Sequence, residues 1–146
     1  MPIQYQRPGL SFLYPDNWTL DEDDAPSGNQ SATVYSPGGG FWSVAVHNGS
    51  ANPLNLANAT LEAMKKEYQG LDAEEVNETL DGRKMIGYDM SFFLFDFTNT
   101  AQVRSLKCNQ VTYTILCQAE DREFEQIQRV FLAMTVSLLK GLKDLG

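Results

Sequence analysis

The residues best suited to chemistry are one histidine and two cysteines. His47 is the only histidine in the chain, so a Ser-His or Cys-His mechanism would depend on this one imidazole ring. It ends the β-branched and aromatic run Phe41–His47, which is typical of a strand, and this favours a structural or exposed role. A dyad of His47 with Cys108 or Cys117 is geometrically feasible, but nothing in the sequence selects it. We therefore predict no catalytic residue and keep a small enzyme using His47 as an alternative.

The two cysteines are too few for a disulfide framework and lack the four-ligand pattern of a structural zinc site. A two-residue turn at Asn109–Gln110 would pair Cys108 with Val111 and Cys117 with Gln102, which separates the cysteines by roughly 20 Å along the ladder. No disulfide spans that distance. We predict two reduced, buried thiols, and a different register or oxidation is the alternative.

Two further motifs resemble ligand sites but lack the complete pattern. Asp21–Asp24 is a run of four carboxylates, whereas a calcium loop needs alternate ligands, a turn glycine and a distal bidentate Glu. Gly38–Gly40 precedes a strand-like run and not the Lys-Ser/Thr and helix of a phosphate loop. We predict no metal site and no cofactor. The acidic run is expected to be a solvated loop continuing to Gln30, with loose attraction to a basic partner as the alternative, and the glycines are expected to form a hairpin turn.

The composition excludes several kinds of partner. Nineteen Asp and Glu against 11 Lys and Arg give a net charge of -8, which repels nucleic acid and anionic membranes. We therefore predict a basic or neutral protein or peptide partner and no nucleic acid. No apolar run approaches the roughly 20 residues that cross a bilayer, and the chain opens with polar sequence instead of a signal segment, so we expect a cytoplasmic protein without membrane insertion.

Hydrophobic patterning predicts a mixed fold. The Asp81-Gly82 pair indicates a hairpin turn, Gly141 is expected to end the last helix, and Thr98–Thr100 is expected to be a turn. The predicted strands are 9–15, 31–36, 41–47, 74–80, 84–97, 101–108 and 110–118, and the predicted helices are 54–69 and 121–139. The sequence thus predicts a single α+β domain over residues 1–146, a monomer or small homo-oligomer, with residues 142–146 frayed.

Strand 84–97 carries apolar side chains of both parities, which is typical of a central strand covered on both faces. We therefore expect helices on both faces of an antiparallel sheet, an α/β/α sandwich. The aromatic residues exceed the needs of one face. Core packing is their ordinary explanation, and an exposed binding groove with Arg104 on a polar rim is the alternative. The candidate binding residues are Trp42, Phe93, Phe95 and Arg104, with Phe97 beside them.

Three short motifs carry a family resemblance. Phe12–Trp18 reads aromatic-x-Tyr-Pro-x-x-Trp, Tyr35-Ser36-Pro37 forms a turn after a strand, and Ser137-Leu138 closes an amphipathic helix. In this order they resemble the PsbP-like group, which includes an extrinsic photosystem II subunit, a nuclear-import factor that binds the Ran GTPase, bacterial lipoproteins and small cytosolic chaperones for secreted effectors. The resemblance implies an antiparallel sheet flanked by helices and a tendency toward binding, and it transfers no functional residue.

The sequence therefore predicts a non-enzymatic protein- or peptide-binding or adaptor module of PsbP-like fold. A cytosolic chaperone for a secreted effector is one alternative, because an acidic chain with surplus aromatic residues is compatible with shielding apolar segments. The small enzyme using His47 is a second alternative, and a structural subunit of a larger assembly is a third.

Overall fold

The structure, a computed structural model, describes residues 1–24, 30–49 and 51–144. In these residues the chain forms β1 (Pro2–Arg7), β2 (Leu10–Pro15), β3 (Thr19–Asp24), β4 (Gln30–Tyr35), β5 (Phe41–Asn48), α1 (Pro53–Glu67), β6 (Asp72–Leu80), β7 (Arg83–Leu94), β8 (Phe97–Cys108), β9 (Val111–Glu120) and α2 (Asp121–Asp144). Seven strands make one antiparallel sheet in the order β3-β4-β5-β9-β8-β7-β6, and β1 pairs with β2 in a separate hairpin. The fold is α+β, as predicted.

Turn chemistry sets the hairpins that were predicted from the sequence. Asp81 and Gly82 join β6 to β7 with φ angles of 51° and 79°, the left-handed pair that a two-residue hairpin turn requires. Asn109 has a φ of 59° between β8 and β9. The segment Pro37–Gly40 joins β4 to β5, as predicted, and the amide of Ser36 donates to the carbonyl of Gly40.

The cysteine register is also confirmed. Cys108 lies opposite Val111, and Cys117 lies opposite Gln102. Both thiols are free and buried. The turn at Asn109 therefore fixed the separation of the two sulfurs, because in a hairpin the turn determines which residues face each other.

Helix α1 begins and ends as local rules require. The side chain of Asn52 accepts hydrogen bonds from the amides of Leu54 and Asn55, and Pro53 occupies the first turn. Beyond the helix, Gly70 has a φ of 74°, a conformation that commonly follows a helix end, and the helix predicted over 54–69 ends close to it.

Helix α2 is longer than predicted. The expected end at Gly141 is wrong, because the helix continues to Asp144, and the expected fraying is wrong for Leu142, which is buried in the core. A Cβ on Gly141 would lie 3.1 Å from Oγ of Ser11. Glycine is therefore present where the helix packs closely on β2, and this packing outweighs its weak helix propensity.

The buried residues form two clusters. The larger joins the β1–β2 hairpin, β4, β5, β9 and α2, and the smaller joins α1 to β7 and β8. Along β9, Ile115 and Cys117 belong to the larger cluster, while Leu116 between them packs on the smaller one. Neither helix of the described residues combines the length and apolar composition needed to cross a membrane.

The acidic run Asp21–Asp24 is not a loop, so that prediction is wrong. It forms the outer part of β3, an edge strand whose residues pair with Thr33 and its neighbours on β4. Asp21 and Glu22 are exposed, and charges on an edge strand discourage pairing with other chains. The continuation of the predicted loop over 25–29 lies outside the described residues.

Strand β7 also differs from its prediction. It is not central, because it lies between β8 and the edge strand β6. It ends at Leu94, and the turn before β8 is formed by Phe95 and Asp96. The predicted turn at Thr98–Thr100 is therefore wrong, since these residues belong to β8. The sequence also failed to indicate β1.

Candidate functional site

The β7–β8 hairpin extends beyond both strands that flank it. Strand β6 begins at Asp72, which pairs with Ser91, and β9 ends at Glu120, which pairs with Asn99. Among the residues that the structure describes, those past these positions pair only with each other. We call this free end, Phe93–Thr98, the aromatic tip.

The aromatic tip exposes a concentrated apolar surface. The side chains of Phe93, Phe95 and Phe97 are 70%, 87% and 49% exposed, and Leu94 is exposed beside them. Phe92, one residue before the tip, is only 2% exposed and its ring stacks on Tyr68 at 4.0 Å between centroids. Contiguous exposed aromatic residues mark interaction surfaces far more often than scattered ones do.

The turn of the aromatic tip holds a phenylalanine in an unfavourable backbone conformation. Phe95 and Asp96 have φ angles of 50° and 67°. This left-handed pair suits a two-residue hairpin turn but favours Asn and Gly, and a bulky residue there costs about 1 kcal/mol. A strained residue that is also the most exposed aromatic of the tip points to a role in function.

The charges around the aromatic tip are mostly negative. Asp96 lies in the turn, and Glu120 and Asp121 lie where β9 passes into α2. The guanidinium of Arg122 lies 5.4 Å from the ring centre of Phe97, and its Nε is 3.0 Å from Oε1 of Glu120. The local surface therefore matches the acidic chain as a whole and favours a basic partner.

Trp42, a predicted binding residue, lies in the core and lines no exposed surface, so this prediction is wrong. Its side chain is 0% exposed. Its ring lies 4.8 Å from that of Phe12, and its Nε1 donates a hydrogen bond of 3.0 Å to Oγ1 of Thr135. The β1–β2 hairpin and α2 cover this part of the sheet, and β1 gave no signal in the sequence.

Arg104, the fourth predicted binding residue, is buried and does not rim the aromatic tip. Its Nε donates to Glu78 and its Nη2 to Asp89, each at 2.6 Å, while Nη1 donates to the carbonyls of Tyr88 and Val103. Burial opposes the charge of Arg104, but the hydrogen bonds and charges of Asp89 and Glu78 outweigh it and raise the pKa. No pattern in the sequence predicted these two ion pairs.

His47 lies apart from Cys117 in the sheet. His47 lies opposite Thr112 in the register, whereas Cys117 lies opposite Trp42. Burial lowers the pKa of His47 and raises the pKa of Cys117 to about 12, so this thiol stays protonated and unreactive near neutral pH. Among the described residues, no three His, Cys, Asp or Glu side chains are grouped as a metal site would require.

The fold is that of known solved structures. No family model and no curated protein matches the chain. The solution structure of CyanoP, a cyanobacterial PsbP from Synechocystis sp. PCC 6803, is similar over 93% of this chain and 90% of its own, with a TM-score of 0.63 and 15% sequence identity. PA94 of Pseudomonas aeruginosa, a protein of unknown function, is similar over 94% of this chain and 95% of its own, with a TM-score of 0.55 and 11% identity.

A mutant of the protein Mog1 is similar over 99% of this chain and 90% of its own, with a TM-score of 0.51 and 8% identity. At these identities the likeness concerns the fold alone. The chain therefore has a PsbP-like fold, which confirms the resemblance found in its sequence, and its function must be argued from its own surfaces.

Proposed function

We infer that α1 and α2 cover opposite faces of the sheet, the sandwich that the sequence predicts. Successive side chains of a strand point to opposite faces. On β9, Ile115 and Cys117 pack in the cluster that contains α2, and Leu116 packs in the cluster that contains α1. This alternation supports a helix on each face, with the aromatic tip projecting past the ends of β6 and β9.

We propose that the chain is a non-enzymatic protein-binding module, and that its aromatic tip inserts into an apolar pocket on a partner protein. The observation that carries this proposal is the exposure of Phe93, Phe95 and Phe97 on a hairpin that outruns both neighbouring strands. Burying one phenylalanine contributes about 1.5–3 kcal/mol. A few such anchors dominate the binding energy of many interfaces.

The charges near the tip support a basic rim around that pocket. Asp96 lies in the turn itself, and the chain carries a net charge of -8. An anionic membrane would be repelled by the same charges, which favours a protein over a lipid surface. Electrostatic attraction would speed the encounter and would weaken as salt increases.

The proposal includes no catalytic step. Support comes from the separation of His47 from Cys117 in the sheet register and from the burial that raises the pKa of Cys117. The proposal also takes residues 1–146 as one domain that acts in the cytoplasm.

The test is site-specific crosslinking followed by a binding measurement. A photoreactive phenylalanine analogue placed at Phe95 would attach the partner, which mass spectrometry then identifies. Binding of the purified partner is compared between the wild-type chain and the double variant Phe93→Ser with Phe95→Ser. The matched control is Ile3→Ser with Leu13→Ser, which removes two exposed apolar side chains from the β1–β2 hairpin.

We expect the tip variant to weaken binding at least 100-fold, the control to bind as wild type, and affinity to fall with salt. Equal binding by both variants would contradict the proposal. A crosslinked secreted effector would identify the chain as a chaperone, and a partner bound without salt dependence would contradict the basic rim.

A further inference from the structure

A second surface, separate from the aromatic tip, is a groove beside α2. Helix α2 packs on β2, β8 and β9, so the sheet beyond its flank lies open. The groove encloses about 310 Å³, which is within the usual size range for small-molecule sites. We call it the α2 groove; it is lined by Glu78, Leu80, Met85, Gln102, Arg104, Ile115, Cys117, Gln128, Arg129, Phe131, Leu132 and Thr135.

A glycine allows the backbones of β7 and β8 to approach closely beside this groove. Gly87 lies opposite Arg104 in the register of β7 and β8. A Cβ at this position would come within 1.7 Å of the carbonyl oxygen of Val103, so the backbones approach too closely for any other residue. From the facing position on β8, Arg104 pairs with Glu78 of β6 and Asp89 of β7.

Arg104 fixes a carboxylate on one wall of the α2 groove. Its side chain is only 9% exposed, and it forms ion pairs of 2.6 Å with Glu78 and Asp89. Two carboxylates share one guanidinium, so the cluster has one negative charge in excess. Only Oε1 of Glu78 accepts from Arg104, and Glu78 lines the groove while remaining accessible to solvent.

The opposite wall of the α2 groove carries a positive charge. Arg129 of α2 lines the groove and is exposed, and within the described part of the chain it forms no ion pair. Gln128 supplies an amide beside it, and Leu132 is an exposed apolar side chain one turn further along α2. The groove is therefore lined by an anion, a cation and apolar side chains.

We propose that the α2 groove binds a free α-amino acid with an apolar side chain. The ammonium group would pair with Glu78, and the carboxylate would pair with Arg129, whose planar guanidinium can bind both carboxylate oxygens. The apolar side chain would lie against Leu80, Met85 and Leu132. A ligand with both charges matches both walls, whereas a purely anionic or purely cationic ligand leaves one wall unpaired.

The experiment is a titration followed by nuclear magnetic resonance of the backbone amides. The probes are L-leucine and two molecules that each lack one of its charges, 4-methylpentanoate and 3-methylbutylamine, with glycine and L-phenylalanine to vary the side chain. The test variant is Arg129→Gln, which alters an exposed side chain and leaves Arg104 and its partners intact. The matched control is Arg122→Gln, an exposed arginine of the same helix that lies outside the groove.

We expect L-leucine to shift the resonances of groove residues and to bind at least 10-fold more tightly than either singly charged probe. Arg129→Gln should lower the affinity for L-leucine at least 10-fold, while Arg122→Gln should leave this affinity unchanged. The proposal is overturned if no amino acid of the panel binds, if a singly charged probe binds as tightly as L-leucine, or if Arg129→Gln binds like the wild type. Shifts confined to the aromatic tip would also overturn it.

Discussion

The aromatic tip and the core around Trp42 both consist of aromatic side chains, but those of the tip are exposed and those of the core are buried. Trp42 contacts Phe12 and bonds to Thr135 with no exposed surface, whereas Phe93 and Phe95 are largely exposed. Trp42 on β5 and Phe93 on β7 lie in the same sheet. The two groups differ in whether other elements pack over them. The β1–β2 hairpin and α2 pack over Trp42, while the tip extends beyond the strands on either side of it.

The comparison implies that one region stabilises the fold and the other is free to bind. Burial of a large ring contributes to stability in proportion to the apolar area removed from water. A ring that stays exposed contributes little to the free energy of folding. The free energy of removing it from water can therefore contribute to binding a partner. The following variants test this division.

The largest effect is expected for Trp42→Ala. Loss of a fully buried indole should lower the free energy of unfolding by about 3–5 kcal/mol, because it leaves a cavity and removes the partner of Thr135. Urea denaturation followed by circular dichroism measures the change. The control is Tyr35→Ala at an exposed position of β4, which should change stability by less than about 1 kcal/mol. A loss of under about 1 kcal/mol for Trp42→Ala would show that the core does not depend on this ring.

Adjacent residues of β7 provide the sharpest version of the comparison. Phe92→Ala should cost about 3 kcal/mol, because the ring is buried against Tyr68 of the α1 cluster. Phe93→Ala should change the free energy of unfolding by less than about 0.5 kcal/mol, since its ring is already exposed. Both are measured by the same urea titration. Similar losses for the two variants would place Phe93 in the core and remove the basis of the aromatic tip as a binding surface.

A smaller effect of opposite sign is expected in the turn. Phe95→Asn should raise the free energy of unfolding by about 0.5–1 kcal/mol, because Asn tolerates the left-handed conformation better than Phe. The same variant should weaken binding of the crosslinked partner. Phe97→Asn is the control, because Phe97 lies on β8 outside the positive-φ pair. A gain in stability equal to that of the control would argue that the turn is not strained.

The smallest effect concerns His47, at the polar end of the strand that carries Trp42. Burial lowers the pKa of His47 below its usual value of 6.5, so the unfolded chain takes up a proton before the folded chain does. His47 therefore lowers stability as the pH falls below about 6.5, and the loss levels off below its folded pKa. Thermal unfolding of wild type and His47→Gln between pH 5 and 8 measures the difference. A wild-type profile unchanged by this substitution would contradict the shift.

Part of the site was visible in the sequence. The aromatic residues of the predicted strand 84–97 exceeded what one sheet face can bury, and this excess named three of the four exposed residues of the tip, Phe93, Phe95 and Phe97. The turn at Phe95-Asp96 was missed, because it contains neither the Asn nor the Gly that is typical of such a turn. Arg104 was assigned to the wrong surface, since its pairing with Glu78 and Asp89 depends on strands far apart in sequence.

Local interactions determined what the sequence predicted correctly. The turns at Asp81-Gly82 and Asn109 set hairpin registers, including the separation of Cys108 from Cys117, because a few backbone angles decide them. Asn52 and Gly70 likewise mark the two ends of α1, through interactions within a few residues. These elements need no information from distant parts of the chain.

Tertiary structure decided which apolar residues are covered. The burial of Trp42 required Phe12 of β2 and Thr135 of α2. The glycine at position 141 suits the close packing of α2 on Ser11 of β2. The exposure of the aromatic tip required β6 and β9 to end before the hairpin does. Each outcome depends on where distant segments begin and end in space. Local propensity and hydrophobic periodicity carry no information about such cover, because they describe one segment and the cover is supplied by another.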